Sequence, residues 1–254
     1  MPTDNEMVSE AMRILQKSKA EHLTLRLMGA IAFRHQCLNH LQLFEKLQRR
    51  LTDIDFASLS SEADRIMGLM ESLGYTPDQS MLLSQEYGYH RLIYNHPDTN
   101  LHVDIFLDRL KMCHTIDLTD RLRIDENTIS PSDLLLEKMQ IVNINEKDVV
   151  DSAILLVEHD VGSSDKQTIN VDYIMSIMSR DWGFYYTFTT NLMRLSDTVN
   201  KSSHFSPDEK ETVTRRVDSI LCSVEATPKT LKWKMRAKVG TKQQWYNEVS
   251  EILT

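Results

Sequence analysis

Between Leu23 and Arg49 the spacing of apolar residues changes its period at a single glycine. Leu23, Leu25 and Leu27 alternate with Thr24 and Arg26, the pattern of a strand. Gly29 stops it, and from Ala30 to about Arg49 the residues Leu38, Leu41, Phe44 and Leu47 recur at helical spacing. Strand, glycine turn and helix therefore follow without a gap, behind a short amphipathic helix over 7–20. Residues 52–57 read as a second strand, and 60–73 as a helix ended by Gly74. Residues 89–94 and 101–107 read as antiparallel strands joined by a turn at His96 to Asn100. In the latter strand Val103, Ile105 and Leu107 face one way, and His102, Asp104, Phe106 and Asp108 face the other.

From Pro131 to about Ala226 the pattern is helical, opened by Ser130 as a capping residue and Pro131 at the first helical position. The expected fold class is α+β: a mixed sheet flanked by helices over 1–130, then a mainly helical domain over 131–254 with a basic C-terminal segment.

Composition excludes several classes. The 254 residues are 41% hydrophobic and 26% charged, which suits an ordinary globular chain and excludes disorder as the main state. Cys37, Cys113 and Cys222 are too few and too far apart for a disulfide scaffold, and none forms a C-x-x-C. With 7 glycines and no G-x-G-x-x-G or G-x-x-x-x-G-K-[ST], Rossmann and P-loop nucleotide binding lose their sequence support. No apolar stretch approaches the roughly 18–20 residues of a membrane span, and the N-terminus is acidic and polar, so the expected location is cytoplasmic. A net charge of -8 argues against non-specific nucleic-acid binding by the whole surface.

The candidate chemistry lies in carboxylates. Asp53 and Asp55 stand at i and i+2 of a strand, so they share a face with Cβ atoms roughly 7 Å apart. Two such acids repel unless a cation sits between them, and magnesium prefers oxygen ligands of this kind. Asp104, on the polar face of another strand, supplies a third. Three carboxylates on neighbouring strands suit a two-metal phosphoryl-transfer site. The bland alternative is a solvated strand end. Gly29 lets backbone approach a ligand, and the N–H groups near Ala30 and Ile31 are placed to hold a triphosphate; a plain tight turn is the alternative.

Lys138 has Leu134, Leu135, Ile141 and Val142 around it at helical spacing, so it either snorkels to the surface or meets an anion. In the segment Asn145 to Asp151, Asp148 and Asp151 share a helix face, which favours a cationic partner.

These residues together resemble the nucleotidyltransferase superfamily, whose pattern is a G-[GS] turn, a D-x-D and a third Asp. The resemblance is closer to a bacterial group of nucleotidyltransferase-like proteins. It is carried by Leu27-Met28-Gly29-Ala30-Ile31-Ala32, Asp53-Ile54-Asp55-Phe56, Val103-Asp104-Ile105-Phe106-Leu107-Asp108-Arg109 and Met112-Cys113-His114. It continues in Asp133-Leu134-Leu135-Leu136-Glu137-Lys138-Met139-Gln140, Asn145-Glu146-Lys147-Asp148-Val149-Val150-Asp151 and Asp181-Trp182-Gly183. The chain is also similar, more weakly, to nucleotidyltransferase toxins of abortive-infection systems. The resemblance implies that Asp53, Asp55 and Asp104 bind Mg2+ or Mn2+, with Asp104 as base, and that Lys138 touches the phosphates of an NTP. From the toxins it implies a catalytic role for Asp148 or Asp151. Ala30 departs from the pattern, which has Gly or Ser there.

Residues 229–242 hold Lys229, Lys232, Lys234, Arg236, Lys238 and Lys242 and no acid. Strict alternation of Leu231, Trp233, Met235, Ala237 and Val239 with Lys232, Lys234, Arg236 and Lys238 predicts a strand with one cationic face. Such a face could hold an RNA backbone; an edge strand guarded by lysines is the alternative.

The expected function is transfer of a nucleotidyl group from an NTP to an RNA, protein or small-molecule acceptor. The alternatives are a catalytically degenerate nucleotide-binding or protein-interaction module on the same fold, and a toxin paired with a protein antidote.

Overall fold

The computed structural model describes residues 2–79 and 90–248. In chain order its elements begin with α1 (Asp4–Ala20), β1 (Leu25–Met28), α2 (Gly29–Gln36), α3 (Leu41–Lys46) and β2 (Ile54–Ser58). Next come α4 (Ala63–Ser72), β3 (Thr76–Pro77), β4 (Arg91–Asn95), β5 (His102–Leu107), β6 (Arg109–Lys111) and β7 (Thr115–Asp117). The remainder is α5 (Pro131–Met139), α6 (Glu146–Glu158), β8 (Val161–Gly162), β9 (Ile169–Asn170), α7 (Val171–Met178), α8 (Trp182–Lys201), α9 (Pro207–Ala226) and α10 (Leu231–Val239). No helix among the described residues is long and apolar enough to cross a membrane.

Two compact units form. The first comprises Met1–Gln36, Arg50–Leu110 and Asp117–Ser130; the second comprises Cys37–Arg49, Lys111–Ile116 and Pro131–Thr254.

The first unit is a five-stranded mixed sheet in the order β1-β2-β5-β4-β3, with helices packed on it. The β2–β5 pair is parallel and the other pairs are antiparallel. Leu25, Leu27, Ile54, Phe56, Leu92, Tyr94, Val103 and Ile105 are buried, each worth about 1.5–3 kcal/mol relative to exposure. Thr3 and Glu6 close a capping box at the start of α1, which buries Met7, Ala11, Ile14 and Leu15. The outer edge of β1 is covered: Leu27 donates its N–H to Asn127 and accepts from Ile129. One register decides the site. Met28 pairs with Asp55, Asp55 with Asp104, and Asp104 with Ile93.

The second unit is mainly helical. Five of its helices start on side-chain caps: Asn145 for α6, Asn170 for α7, Asp181 for α8, Ser206 for α9 and Thr230 for α10. Asn191 of α8 donates to the carbonyls of Met139 and Ile141, both at 2.9 Å, which satisfies acceptors at the end of α5.

Several expectations are corrected. The single helix from Ala30 to Arg49 is instead α2, a 3-10 turn at Leu38–His40, and α3. Cys37 leaves the helical region at φ -112 and ψ 49. Leu38 and Leu41 are exposed, and Leu43 and Phe44 are the buried pair. An unbroken apolar spacing hid the break. The helical half also holds a short parallel pair, β8 with β9. The strand expected from Tyr89 begins at Arg91; Tyr89 itself, like residues 249–254 of the helical domain, lies outside the described residues.

The largest correction is at the basic segment, where α10 replaces the expected strand. Thr230 caps it by accepting from the N–H of Trp233, and leucine, lysine, methionine, arginine and alanine are all good helix formers. Local propensity and the cap outweigh the alternation. The cationic face divides accordingly: Lys232 and Arg236 lie on one side of the helix, and Lys234 and Lys238 about 200° further round.

Candidate functional site

Gly29 is the first residue of α2 and has φ +63, the left-handed region that favours glycine. A β-carbon there would lie 2.0 Å from Oδ2 of Asp55 and 2.9 Å from its Cγ. The β1–β2 register sets this up: Met28 is opposite Asp55, so the residue after Met28 turns directly over that carboxylate. Asp55 thus rests against the first turn of α2, where the positive end of the helix favours an anion. Ala30 and Ile31 follow in that turn and are buried.

Asp53 is half-buried just before β2, and its Oδ1 accepts from the Thr52 hydroxyl at 3.0 Å. Asp104 is buried, 3% exposed. Arg91 grips it with two prongs: Nε donates to Oδ1 at 2.9 Å, and Nη2 donates to Oδ2. Nε2 of His102 lies 3.4 Å from the same Oδ2, and Nδ1 of His102 hydrogen-bonds with Oδ1 of Asn95 at 2.9 Å. Burial by itself would raise the Asp104 pKa, but the hydrogen bonds from His102 and Arg91 and the charge of Arg91 hold it below the ordinary value. The hydrogen bond to Asp104 raises the His102 pKa in return.

The first unit therefore brings Gly29, Ala30, Asp53, Asp55 and Asp104 to one end of its sheet. Asp53 and Asp55 supply hard oxygen donors, and magnesium commonly uses one or two carboxylates together with substrate phosphates and water. Both oxygens of Asp104 face Arg91 and His102, and among the described residues no three His, Cys, Asp or Glu side chains converge to hold a metal ion. Asp104 is thus engaged by cations of its own chain.

Lys138, Asp148 and Asp151 form a second cluster, in the second unit. Nζ of Lys138 lies 2.8 Å from Oε1 of Glu137 and 3.6 Å from Oδ1 of Asp148. The anions that Lys138 meets here are carboxylates of its own chain. Burial would lower its pKa, but Glu137, Asp151 and Asp148 raise it, so it stays charged. Asp151 is 0% exposed and accepts from Nε and Nη2 of Arg49, each at 2.9 Å. Burial raises its pKa against the opposing charges of Lys138 and Arg49.

Sequence reasoning missed Arg91, His102, Arg49 and Glu137. A signal for Arg91 existed. Closing the hairpin at Asn95 and His102 sets Arg91 opposite Phe106, one diagonal step from Asp104 on the same face. Nothing local marks Arg49 as the partner of Asp151, 102 positions away.

In the basic segment, Arg236 donates to the carbonyls of Gly240, Gln243 and Gln244 and lies over the Trp182 ring at 4.8 Å. Lys229 lies over the rings of Tyr185 and Trp233. Lys232, Lys234 and Lys238 are exposed.

No family model matches the chain, and no curated protein matches it. Among solved structures, it is similar to the antibiotic-resistance factor ANT(2'')-Ia, at 13% identity and a TM-score of 0.41, over 60% of this chain and 83% of that one. It is also similar to an antigenic nucleotidyltransferase-like protein from Paracoccidioides brasiliensis, at 12% identity and a TM-score of 0.43, over 90% of this chain and 96% of that one.

Proposed function

We propose that the chain is a nucleotidyltransferase, binding an NTP at the Gly29 turn and passing its nucleotidyl group to an acceptor hydroxyl. The observation that carries this reading is the approach of Gly29 to Asp55, where even a methyl group would meet the carboxylate at 2.0 Å. A glycine turn set this tightly on a D-x-D lets backbone N–H groups and acidic side chains face one ligand. In the transfer, the acceptor oxygen forms a bond to the α-phosphorus, the bond to pyrophosphate breaks, and the hydroxyl proton passes to water.

Asp53 and Asp55 would hold one Mg2+ or Mn2+, which when bound offsets the negative charge of the triphosphate. The absence of a side chain at Gly29 lets the Asp55 carboxylate lie against the start of α2. Asp104, held below the ordinary carboxylate pKa, is a weak proton acceptor while Arg91 grips it. As an RNA-facing surface, α10 would offer Lys234 and Lys238 on one side.

The test is transfer of label from each α-labelled NTP to RNA, protein and small-molecule acceptors in turn. Loss of transfer in Asp53→Asn and Asp55→Asn supports the reading; full transfer in both would end it. A second reading draws on Ala30 and on the Arg91–Asp104 pair: the same turn binds an NTP without turnover. Magnesium-dependent binding with no transfer to any acceptor would favour it.

A further inference from the structure

Asp104 is the most deeply buried acid at this end of the sheet, and it is matched by positive charge. Its side chain is 4% exposed, against 40% for that of Arg91. The carboxylate is thus the desolvated member of the pair, and its need for a counter-charge is greater than at a surface ion pair. Arg91 meets that need with a planar fork, which matches a carboxylate and covers both of its oxygens. The guanidinium is held from a second side, lying over the Phe106 ring at 5.0 Å. The strand register fixes the arrangement, because Arg91 pairs with Phe106 and reaches diagonally to Asp104.

We infer that Arg91 is the resident counter-cation of Asp104, standing at the third carboxylate where a divalent metal ion would otherwise bind and restricting metal binding to Asp53 and Asp55. The inference rests on the reading of Asp53 and Asp55 as metal donors. A metal ion moving toward Asp104 meets Arg91 across both oxygens and His102 at 3.4 Å from one of them. Like charges repel there, and the guanidinium has to leave before a metal can take its place. Arg91 acts through Asp104 and is a positioning residue.

The test is Mn2+ binding to the full chain, followed by the paramagnetic resonance of free Mn2+, with no nucleotide present. Asp104→Asn binds Mn2+ within about twofold of wild type, whereas Arg91→Gln binds it at least about fivefold more tightly, and the double variant returns to wild type. A loss in Asp104→Asn as large as that in Asp55→Asn, with no gain in Arg91→Gln, overturns the inference. Binding untouched by Asp55→Asn would instead remove the reading of the donors; the comparison of Arg91→Gln with the double variant still decides the role of Arg91. Arg91→Lys guards against misfolding, since it keeps a charge without the fork. Its melting temperature rises on adding Mn2+ by as much as that of wild type, and a rise as large as that of Arg91→Gln counts against the inference.

Discussion

The position that a β-carbon of Gly29 would take lies 2.0 Å from Oδ2 of Asp55, so these two residues define each other's conformation. Gly29→Ala forces a shift of the carboxylate and places an L-residue at φ +63. The backbone cost alone is about 1–2 kcal/mol. The variant is expected to melt below wild type and to lose any stabilisation by NTP. A variant with wild-type melting and an intact nucleotide shift would show that the close approach has no role.

Arg49 and Asp151 make a buried ion pair, 8% and 0% exposed in their side chains. Removing one partner of a buried pair costs about 3–5 kcal/mol when nothing else compensates the remaining charge, and Lys138 still faces Asp151, so the cost here lies below that range. Arg49→Ala is expected to lower the stability measured by urea unfolding at pH 7 by about 1–3 kcal/mol. The loss should shrink toward acid pH, because Asp151, whose pKa burial already raises, then takes a proton. A change below about 1 kcal/mol would place the pair among weak surface contacts.

Burial of His114 sets the sign of a pH dependence. It is buried, hydrogen-bonded through Nε2 to Oγ1 of Thr187 at 2.9 Å and stacked on Phe184. Burial pushes its pKa down to about 4. An unfolded histidine titrates near ~6.5, so between those values the unfolded chain takes up a proton that the folded chain refuses. The stability from neutral His114 is complete above the unfolded value and is lost as pH falls through that window, by at most about 3 kcal/mol. Urea titrations across the window should show a steeper loss in wild type than in His114→Gln. Parallel curves would mean that His114 does not titrate differently in the two states.

The order of strands and helices in the first unit was legible because the hydrophobic period changes cleanly at Gly29 and alternates cleanly at Val103, Ile105 and Leu107. The neighbouring positions of Asp55 and Asp104 followed from that alternation once β2 and β5 pair. The cations that meet the acids were not legible. Arg91 reaches Asp104 across a diagonal of two strands, and Arg49 reaches Asp151 from a segment read as the end of one long helix. Periodicity describes faces, and it is silent about which long side chain bridges them. At α10 it misled, because alternation over nine residues also fits a helix with no buried face, and a capping threonine decided between the two.

The change from strand to helix at α10 alters what an RNA would meet. Lys234 and Lys238 share a side with the exposed Leu231 and Met235, and Lys232 stands apart from them. If this surface holds an RNA backbone, Lys234→Gln with Lys238→Gln lowers the dependence of binding on log salt by about 2, one for each phosphate no longer neutralised. Retention of RNA at low salt that is the same in wild type and in the variant lacking Lys232, Lys234 and Lys238 would remove this partner.

A nucleotide site at Gly29 and Asp55 is tested most directly by thermal melting with each of the four NTPs, with and without magnesium, in wild type and Asp55→Asn. A ligand that binds only the folded state adds about 2.7 kcal/mol at a hundredfold excess over Kd. The expected result is a magnesium-dependent rise with at least one NTP that disappears in Asp55→Asn. No rise with any NTP, or a rise that survives the substitution, would contradict a site built on these two residues.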